Sequence, residues 1–267
     1  MQFLDLTLPT PEENLALDEA MLLSAEADGC AEYLRVWESP QYFVVLGKNC
    51  HIDDDVRVEN CVADRVPILR RVSGGGTVLL GPGCLNFSLI LRLGRDRRLA
   101  GVVESFEFIL DRMAAALRPI APTACCAGTS DLMIGDRKFS GNCQRRQRTH
   151  LLHHGTILNE FDMVKVERFL REPRRQPDHR RQRDHASFLT NLHTDRPRLV
   201  NSLQRSWDIT GRTDDWPRQV VSKLVQEKYA ERAWVWRNQT LPPDGMSKKV
   251  SVSSIARTQP VSDTAAC

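Results

Sequence analysis

Three consecutive glycines interrupt apolar sequence in this chain. Gly74-Gly75-Gly76 stand between the apolar runs 66–69 and 78–80, directly after Arg70-Arg71-Val72-Ser73. Each glycine loses more backbone entropy on folding than any other residue and adds no packing. Such a run is best accounted for where backbone passes very close to something else. Bare N–H groups in a turn of this kind form an anion-binding concavity, and neighbouring arginines add charge. A bulged hairpin with no ligand uses the same glycines, and both readings stand at this point.

A second stretch repeats the theme. It reads Gly128-Thr129-Ser130-Asp131-Leu132-Met133-Ile134-Gly135-Asp136-Arg137-Lys138-Phe139-Ser140-Gly141-Asn142. Residues 132–134 read as a strand, Gly135-Asp136 as a tight turn, and Lys138 as the start of the return strand. A lysine beside the small residues Ser140 and Gly141 faces space that something else can fill. A solvated hairpin lysine is the plainer reading. Farther on, His153-His154-Gly155-Thr156-Ile157-Leu158 reads as a strand, which leaves His150, His153 and His154 without the helical convergence a zinc site needs.

Together these stretches resemble the catalytic domain of lipoate–protein ligases and the related octanoyl transferases and biotin ligases. The shared segments are Arg-Arg-x-Ser-Gly-Gly-Gly-x-Val, Gly-Asp-x-Lys-x-Ser-Gly and His-His-Gly-Thr-Ile-Leu, in that order. The likeness begins near Asn14-Leu15-Ala16-Leu17-Asp18-Glu19 and runs through Ser187-Phe188-Leu189-Thr190-Asn191-Leu192. It implies ATP-dependent activation of lipoate or octanoate to an acyl-adenylate, with Mg2+ accompanying the ATP. Transfer to a lysine of a lipoyl carrier domain would follow, either in 2-oxoacid dehydrogenases or in the glycine cleavage H protein. Lys138 would bridge the acyl carbonyl and the phosphate, because a carboxylate and a phosphate repel each other without a cation between them. Arg71 and the Gly74, Gly75 and Gly76 backbone would hold the acyl end. Asp131 and Asn142 would face the adenylate, and His154 and Gly155 would floor the site. Ser73, Ser140, Gly141 and Thr156 complete the expected substrate-binding set, with no resident metal.

Departures from the ligase pattern bear on this expectation. Leu80-Gly81 and Gly83-Cys84 stand where many ligases carry His-Asp and Gly-Asn. No accessory domain is expected after the catalytic one, which leaves two readings: a partner protein replaces it, or the chain only transfers an acyl group. The alternative enzyme is an octanoyl transferase with an acyl-carrier-protein donor and a cysteine nucleophile. Leu151 occupies one position for that cysteine, which leaves Cys125 or Cys126. A non-catalytic acyl- or lipoyl-domain-binding module on the same fold is a third reading. Biotin ligase fits less well, because its Gly-Arg-Gly-Arg motif is missing.

The chain has 267 residues and a formal charge of +3, too balanced to demand nucleic acid. Eight cysteines without a Cys-x-x-Cys pair suggest reduced thiols and a cytoplasmic protein. Neither a membrane span nor a signal peptide is expected. A helix is expected over 11–25, with Thr10 as N-cap and Pro11 in the first turn. A second is expected over 103–117, and strands over 33–37, 42–46, 66–71, 77–80 and 86–93. Strands and helices without regular alternation give an α+β fold, mixed or antiparallel sheets packed with helices. The arginine-rich stretch 167–198 reads either as a solvated loop or as a docking surface for acidic carrier domains. Residues 216–236 read as a closing helix and strand. One catalytic domain over 1–240 and a disordered tail over 241–267 complete the expected organisation.

Overall fold

The computed structural model describes residues 1–29 and 31–237; the expected tail lies outside the described residues. Helix α1 spans Pro11–Asp28 and is defined by its ends. The Glu13 N–H donates to Thr10 Oγ1 at 3.2 Å, and the Thr10 N–H donates to Glu13 Oε2 at 3.0 Å. This reciprocal box, with proline at the first position, starts the helix. Gly29, at φ +80°, stops it.

An eight-stranded mixed sheet runs β11-β1-β2-β6-β10-β9-β8-β7. Its first half comprises β1 (Gln2–Asp5), β2 (Tyr33–Trp37) and β6 (Cys84–Arg92). The second comprises β7 (Ala124–Ala127), β8 (Asp131–Ile134), β9 (Arg137–Arg146) and β10 (His150–Leu158). The short edge strand β11, Gly211–Arg212, pairs parallel to β1 and has no periodic signal in the sequence. Three further strands, β3 (Phe43–Leu46), β4 (Ile68–Arg70) and β5 (Val78–Leu80), form a separate sheet in the order β4-β3-β5. The fold is α+β.

Strand alternation divides the core in two. Leu34, Val36, Leu89 and Leu151 join helix α2 (Val102–Leu117) and helix α3 (Arg196–Ser206) on one face. Trp37, Ile90 and Leu152 join α1 and the small sheet on the other. Arg35 also points to the α1 side and is fully buried. Its guanidinium donates to Asp18 Oδ1 at 2.7 Å, to Asn14 Oδ1 at 2.7 Å and to the Leu6 carbonyl. Helix and sheet are thus joined through one buried ion pair.

The closing segment contains no strand. Helix α4 (Arg218–Leu224) runs into a π-turn at Val225–Tyr229 and a short helix at Arg232–Val235. The Tyr229 hydroxyl donates to Glu19 Oε2 at 2.8 Å, and Lys228 Nζ to Glu19 Oε1 at 2.7 Å. Fully buried Arg70 donates to the Val235 carbonyl at 2.6 Å and to the Gly47 carbonyl at 2.8 Å. Arg70 thus meets carbonyls at the end of the closing helix, and Glu19 holds the π-turn through its side chains.

Breaking the Arg35–Asp18 pair from one side leaves a buried carboxylate with one cation fewer. Arg35→Ala is expected to cost about 3–5 kcal/mol in urea unfolding. A loss of about 1 kcal/mol or less would mean that the pair does not join helix to sheet.

Candidate functional site

The two arginines before the glycines part company. Arg70 turns into the core, as described, and Arg71 turns into the glycine loop. Arg71 Nη2 donates to the Gly74 carbonyl at 2.5 Å and to the Gly76 carbonyl at 2.8 Å. Its Nε donates to Ser73 Oγ at 3.1 Å. The loop therefore wraps around one guanidinium, which organises the site from within rather than projecting freely towards a ligand. Gly75 needs its freedom: φ is +81°, and a Cβ there would stand 3.0 Å from Arg71 Nη2. Gly74 and Gly76 differ, since a Cβ on either meets nothing within 4 Å. They bare the backbone to open cavity.

Strand register lays a polar stripe beneath this loop. Arg35 of β2 lies opposite Ser88 of β6, Ser88 opposite His154 of β10, and His154 opposite Cys143 of β9. Asp18 rises from α1 to meet the stripe, and His154 Nδ1 donates to its Oδ2 at 3.0 Å. His154 Nε2 lies 2.6 Å from Ser73 Oγ, which lies 3.1 Å from Cys143 Sγ. Ser73 has one proton and two lone pairs, so its hydroxyl can pass a proton between sulfur and imidazole.

The charges follow from these neighbours. Burial pushes the Cys143 thiol up. The positive charges of Arg71 and His154, with hydrogen bonds from His154 and Ser73, outweigh it and bring the thiol down to about 6. Burial likewise pulls His154 down, but the Cys143 charge and Asp18 outweigh it and lift the imidazole to about 9. Asp18 is held below the usual carboxylate range because His154 and Arg35 overcome its burial. Each charge favours the other, and both shifts run in the direction of a thiolate facing an imidazolium.

Lys138 sits farther along β9, where a bulge shifts the pairing with β8 between Leu132 and Met133. Such bulges re-aim side chains. Lys138 Nζ contacts Asp131 Oδ1 at 2.8 Å, and His179 Nε2 donates to Asp131 Oδ2 at 3.0 Å. A Cβ on Gly141 would stand 2.8 Å from Lys138 Nζ, so the ammonium lies over that glycine. Gly155 is needed for a similar reason, because its Cβ would fall 2.1 Å from Asn142 Oδ1. Asn142 Nδ2 donates to the Ser130 carbonyl at 2.9 Å and to Ser140 Oγ at 3.1 Å.

These groups share one cavity of about 1050 Å³ between the two sheets. Arg71, Gly74, Gly75, Gly76, Asp131, Lys138, Gly141, Asn142, His154, Gly155 and Thr156 line it together. Ser73 and Ser140 do not. Each is 1% exposed, and they act behind the wall through hydrogen bonds to His154 and Asn142. Trp37, Val45, Val78 and Leu80 supply apolar wall. Cys143, Asp18 and His179 also line the cavity, and sequence reading gave none of them a role there.

Two expectations are corrected. Cys125 and Cys126 lie on edge strand β7, and neither lines the cavity. Burial and the Asp111 carboxylate push the Cys126 thiol up to about 12, the reverse of an activated nucleophile. The arginine-rich stretch is not simply a solvated loop. Arg171, Arg174, Arg175, His179 and Arg180 fold back over the cavity. Arg174 pairs with Asp54 at 2.7 Å, Arg180 with Glu172 at 2.5 Å and Arg183 with Asp136 at 2.8 Å. Much of the charge expected to steer a partner is met within the chain.

A sequence profile of the lipoyl protein ligase A/B catalytic domain matches residues 10–202. Lipoate–protein ligase 1 of Staphylococcus aureus is 27% identical over 161 residues, 60% of this chain and 47% of that protein. The chain spans about half the length of the curated relatives it matches. One chain of the bi-partite lipoate protein ligase of Thermoplasma acidophilum superposes with a TM-score of 0.74 at 20% identity. The match covers 90% of this chain and 99% of that one. A lipoate–protein ligase A bound with ATP gives a TM-score of 0.73 at 20% identity, covering 88% and 99%.

The thiolate assignment is checked by alkylation. Iodoacetamide labelling of Cys143, followed by peptide mass spectrometry, is expected to accelerate as pH rises through about 6 and then to level off. Cys126, pushed up to about 12, is expected to react slowly across the same range. His154→Gln removes one cation and is expected to move the Cys143 inflection upward. An inflection left in place would detach His154 from the thiol.

Proposed function

Because the chain belongs to the lipoyl protein ligase A/B catalytic-domain family, we propose that it activates lipoate with ATP and passes the lipoyl group to a lysine of a lipoyl carrier domain. The observation that carries this reading is the position of Lys138. Its ammonium stands over Gly141, held by Asp131, in a cavity walled on one part by the buried apolar Trp37 and Val45 and on another by the basic segment. An acyl chain fits the first environment and a nucleotide with its phosphates the second.

The chemistry follows from that division. A lipoate carboxylate oxygen attacks the α-phosphorus of ATP, and pyrophosphate leaves. Lys138 offsets the charge shared by the carboxylate and phosphate oxygens as they approach. The carrier lysine, as free amine, then attacks the acyl carbonyl and AMP leaves. Gly74 and Gly76 let the acyl chain lie against bare backbone. Arg175 and His179 stand on the nucleotide side, and Asn142, Gly155 and Thr156 floor the reacting carbonyl. Mg2+ arrives with the ATP phosphates. Both oxygens of Asp131 already have partners, the Lys138 ammonium on one and His179 Nε2 on the other, so that carboxylate must exchange a partner before it could hold the metal.

The carrier domain is a lipoyl domain of a 2-oxoacid dehydrogenase or of the glycine cleavage H protein. A second protein supplying an accessory domain is part of this reading. Its support is the fit to one chain of a bi-partite ligase. Supplying preformed lipoyl-adenylate separates the two half-reactions. Transfer from the adenylate without ATP–pyrophosphate exchange would assign adenylation to the pair of proteins. Exchange by this chain alone would remove the need for a second one.

Lys138→Ala is expected to lower lipoate-dependent ATP–pyrophosphate exchange and carrier modification about a hundredfold or more, with the melting temperature kept. Lys138→Arg is also expected to be poor, since a planar fork does not replace a compact ammonium. Exchange or transfer at the wild-type rate in the alanine variant would exclude Lys138 from the mechanism.

The glycines give an independent check. Gly76→Val points into open cavity and is expected to abolish lipoate binding by calorimetry while shifting stability by only about 0.5 kcal/mol. Gly75→Val, at φ +81° beside Arg71, is expected to destabilise the fold as well. Undiminished binding in Gly76→Val would place the acyl chain elsewhere.

A further inference from the structure

The Cys143–Ser73–His154–Asp18 network has no task in the adenylation chemistry just described. That chemistry needs a cation at the carboxylate and a backbone bed for the chain. It does not need a nucleophile in the wall. Yet Cys143 lines the cavity, its sulfur 3.1 Å from the Ser73 hydroxyl, which lies 2.6 Å from the His154 imidazole. Asp18, 2% exposed, fixes the far side of that ring at 3.0 Å. Arg71 braces Ser73 at 3.1 Å. This is an assembled relay for a sulfur nucleophile: a cysteine, a proton path, a base and a group that orients the base.

Position along β9 identifies what the sulfur meets. The Lys138 ammonium lies over Gly141, and Cys143 is two residues farther along the same face of the strand. At roughly 3.3 Å per residue that is about 7 Å. In extended lipoate, five carbon–carbon bonds of about 1.5 Å separate the carboxyl carbon from the first ring carbon, which bears a sulfur. With its carboxylate at Lys138 and its tail running inward, lipoate brings the dithiolane, rather than the carbonyl, to Cys143.

We propose that Cys143 is a thiol–disulfide exchange site for the dithiolane of bound lipoate, so that the cavity recognises the oxidised ring covalently and reversibly. This inference rests on the lipoate reading of the cavity. The Cys143 sulfur attacks one ring sulfur in line with the S–S bond. A new Sγ–S bond forms, the ring S–S bond breaks, and its electron pair leaves on the second sulfur. That sulfur takes the proton of His154 Nε2, passed through Ser73. No outside oxidant or reductant is consumed, because one disulfide replaces another. The reverse sequence recloses the ring and frees the substrate for transfer. Cys50, Cys61, Cys84 and Cys126 all have thiols pushed upward, whereas Cys143 is lowered and ready to exchange.

The test uses full-length protein, reduced and desalted, incubated with lipoate or octanoate without ATP. The mixture is quenched in acid, which stops exchange by protonating thiolates. Intact mass is then read without reductant. Lipoate is expected to add the mass of one lipoate, mapped to Cys143 and removed by dithiothreitol. Octanoate and pre-reduced dihydrolipoate are expected to add nothing. Cys143→Ser and Cys143→Ala are both expected to lose the adduct, with folding checked by melting temperature. If calorimetry shows lipoate binding to the wild-type protein and no Cys143 adduct forms, the inference fails and the ligase reading survives. If lipoate neither binds nor supports ATP–pyrophosphate exchange, with or without a second protein, both fail. A hydroxylamine-sensitive octanoyl adduct on Cys143, formed from an octanoyl thioester, would also overturn the inference by making the sulfur an acyl acceptor.

Discussion

One buried carboxylate, Asp18, organises both the fold and the deep end of the cavity. Its Oδ1 takes the Arg35 guanidinium at 2.7 Å and its Oδ2 takes His154 at 3.0 Å. The first contact joins α1 to β2, and the second sets which nitrogen of His154 faces Ser73. From there the order passes to Cys143 and, through Arg71, to the glycine loop. Removing charged groups from water is expensive, and such a cluster persists only when its charges alternate and its hydrogen bonds are met. Here they do: the Arg35 guanidinium, the Asp18 carboxylate, the His154 imidazole, the Cys143 sulfur and the Arg71 guanidinium follow one another through space.

The cavity has two chemistries because two different elements build its ends. The deep end belongs to the sheets, where register fixes side chains across several strands at once. The outer end belongs to a bulge and a returning segment, with Lys138 and Asp131 on one side and His179 on the other. Arg174, Arg180 and Arg183 in that segment are matched by acidic residues within the chain, which ties the segment down over the cavity. The exposed pairs of Arg174 and Arg183 contribute little energy each, while Arg180 is buried. Their number across adjoining loops still defines where the cover lies.

The glycine run illustrates how a single motif divides its labour. Gly75 is required by its own backbone conformation and by the nearby Arg71 side chain, whereas a Cβ on Gly74 or Gly76 would meet nothing within 4 Å, so those two leave the backbone bare to the cavity. Arg70 and Arg71 are adjacent in sequence and opposite in role. Strand alternation sends the first to the closing helix and the second into the loop.

Local physics made much of this readable from sequence alone. The N-cap and first proline of α1, the Gly135-Asp136 turn, the apolar period of α2 and the glycine run each depend on residues a few positions apart. The place of Lys138 at the start of the return strand, beside small residues, was likewise local, although its location over Gly141 required the bulge. Cys143 was passed over in favour of Cys125 and Cys126, because nothing in its immediate neighbours marks it. Its character comes from His154 across the sheet, Arg71 and Ser73 on a loop, and Asp18 on a helix. The strand expected near the end of the chain became helix because Glu19 and Arg70, far away in sequence, supplied its anchors. Caps, turns and periodicity are short-range and are written in adjacent residues. Register, burial and the mutual charge of distant groups exist only once the chain has closed on itself, and those decided which sulfur could become a thiolate.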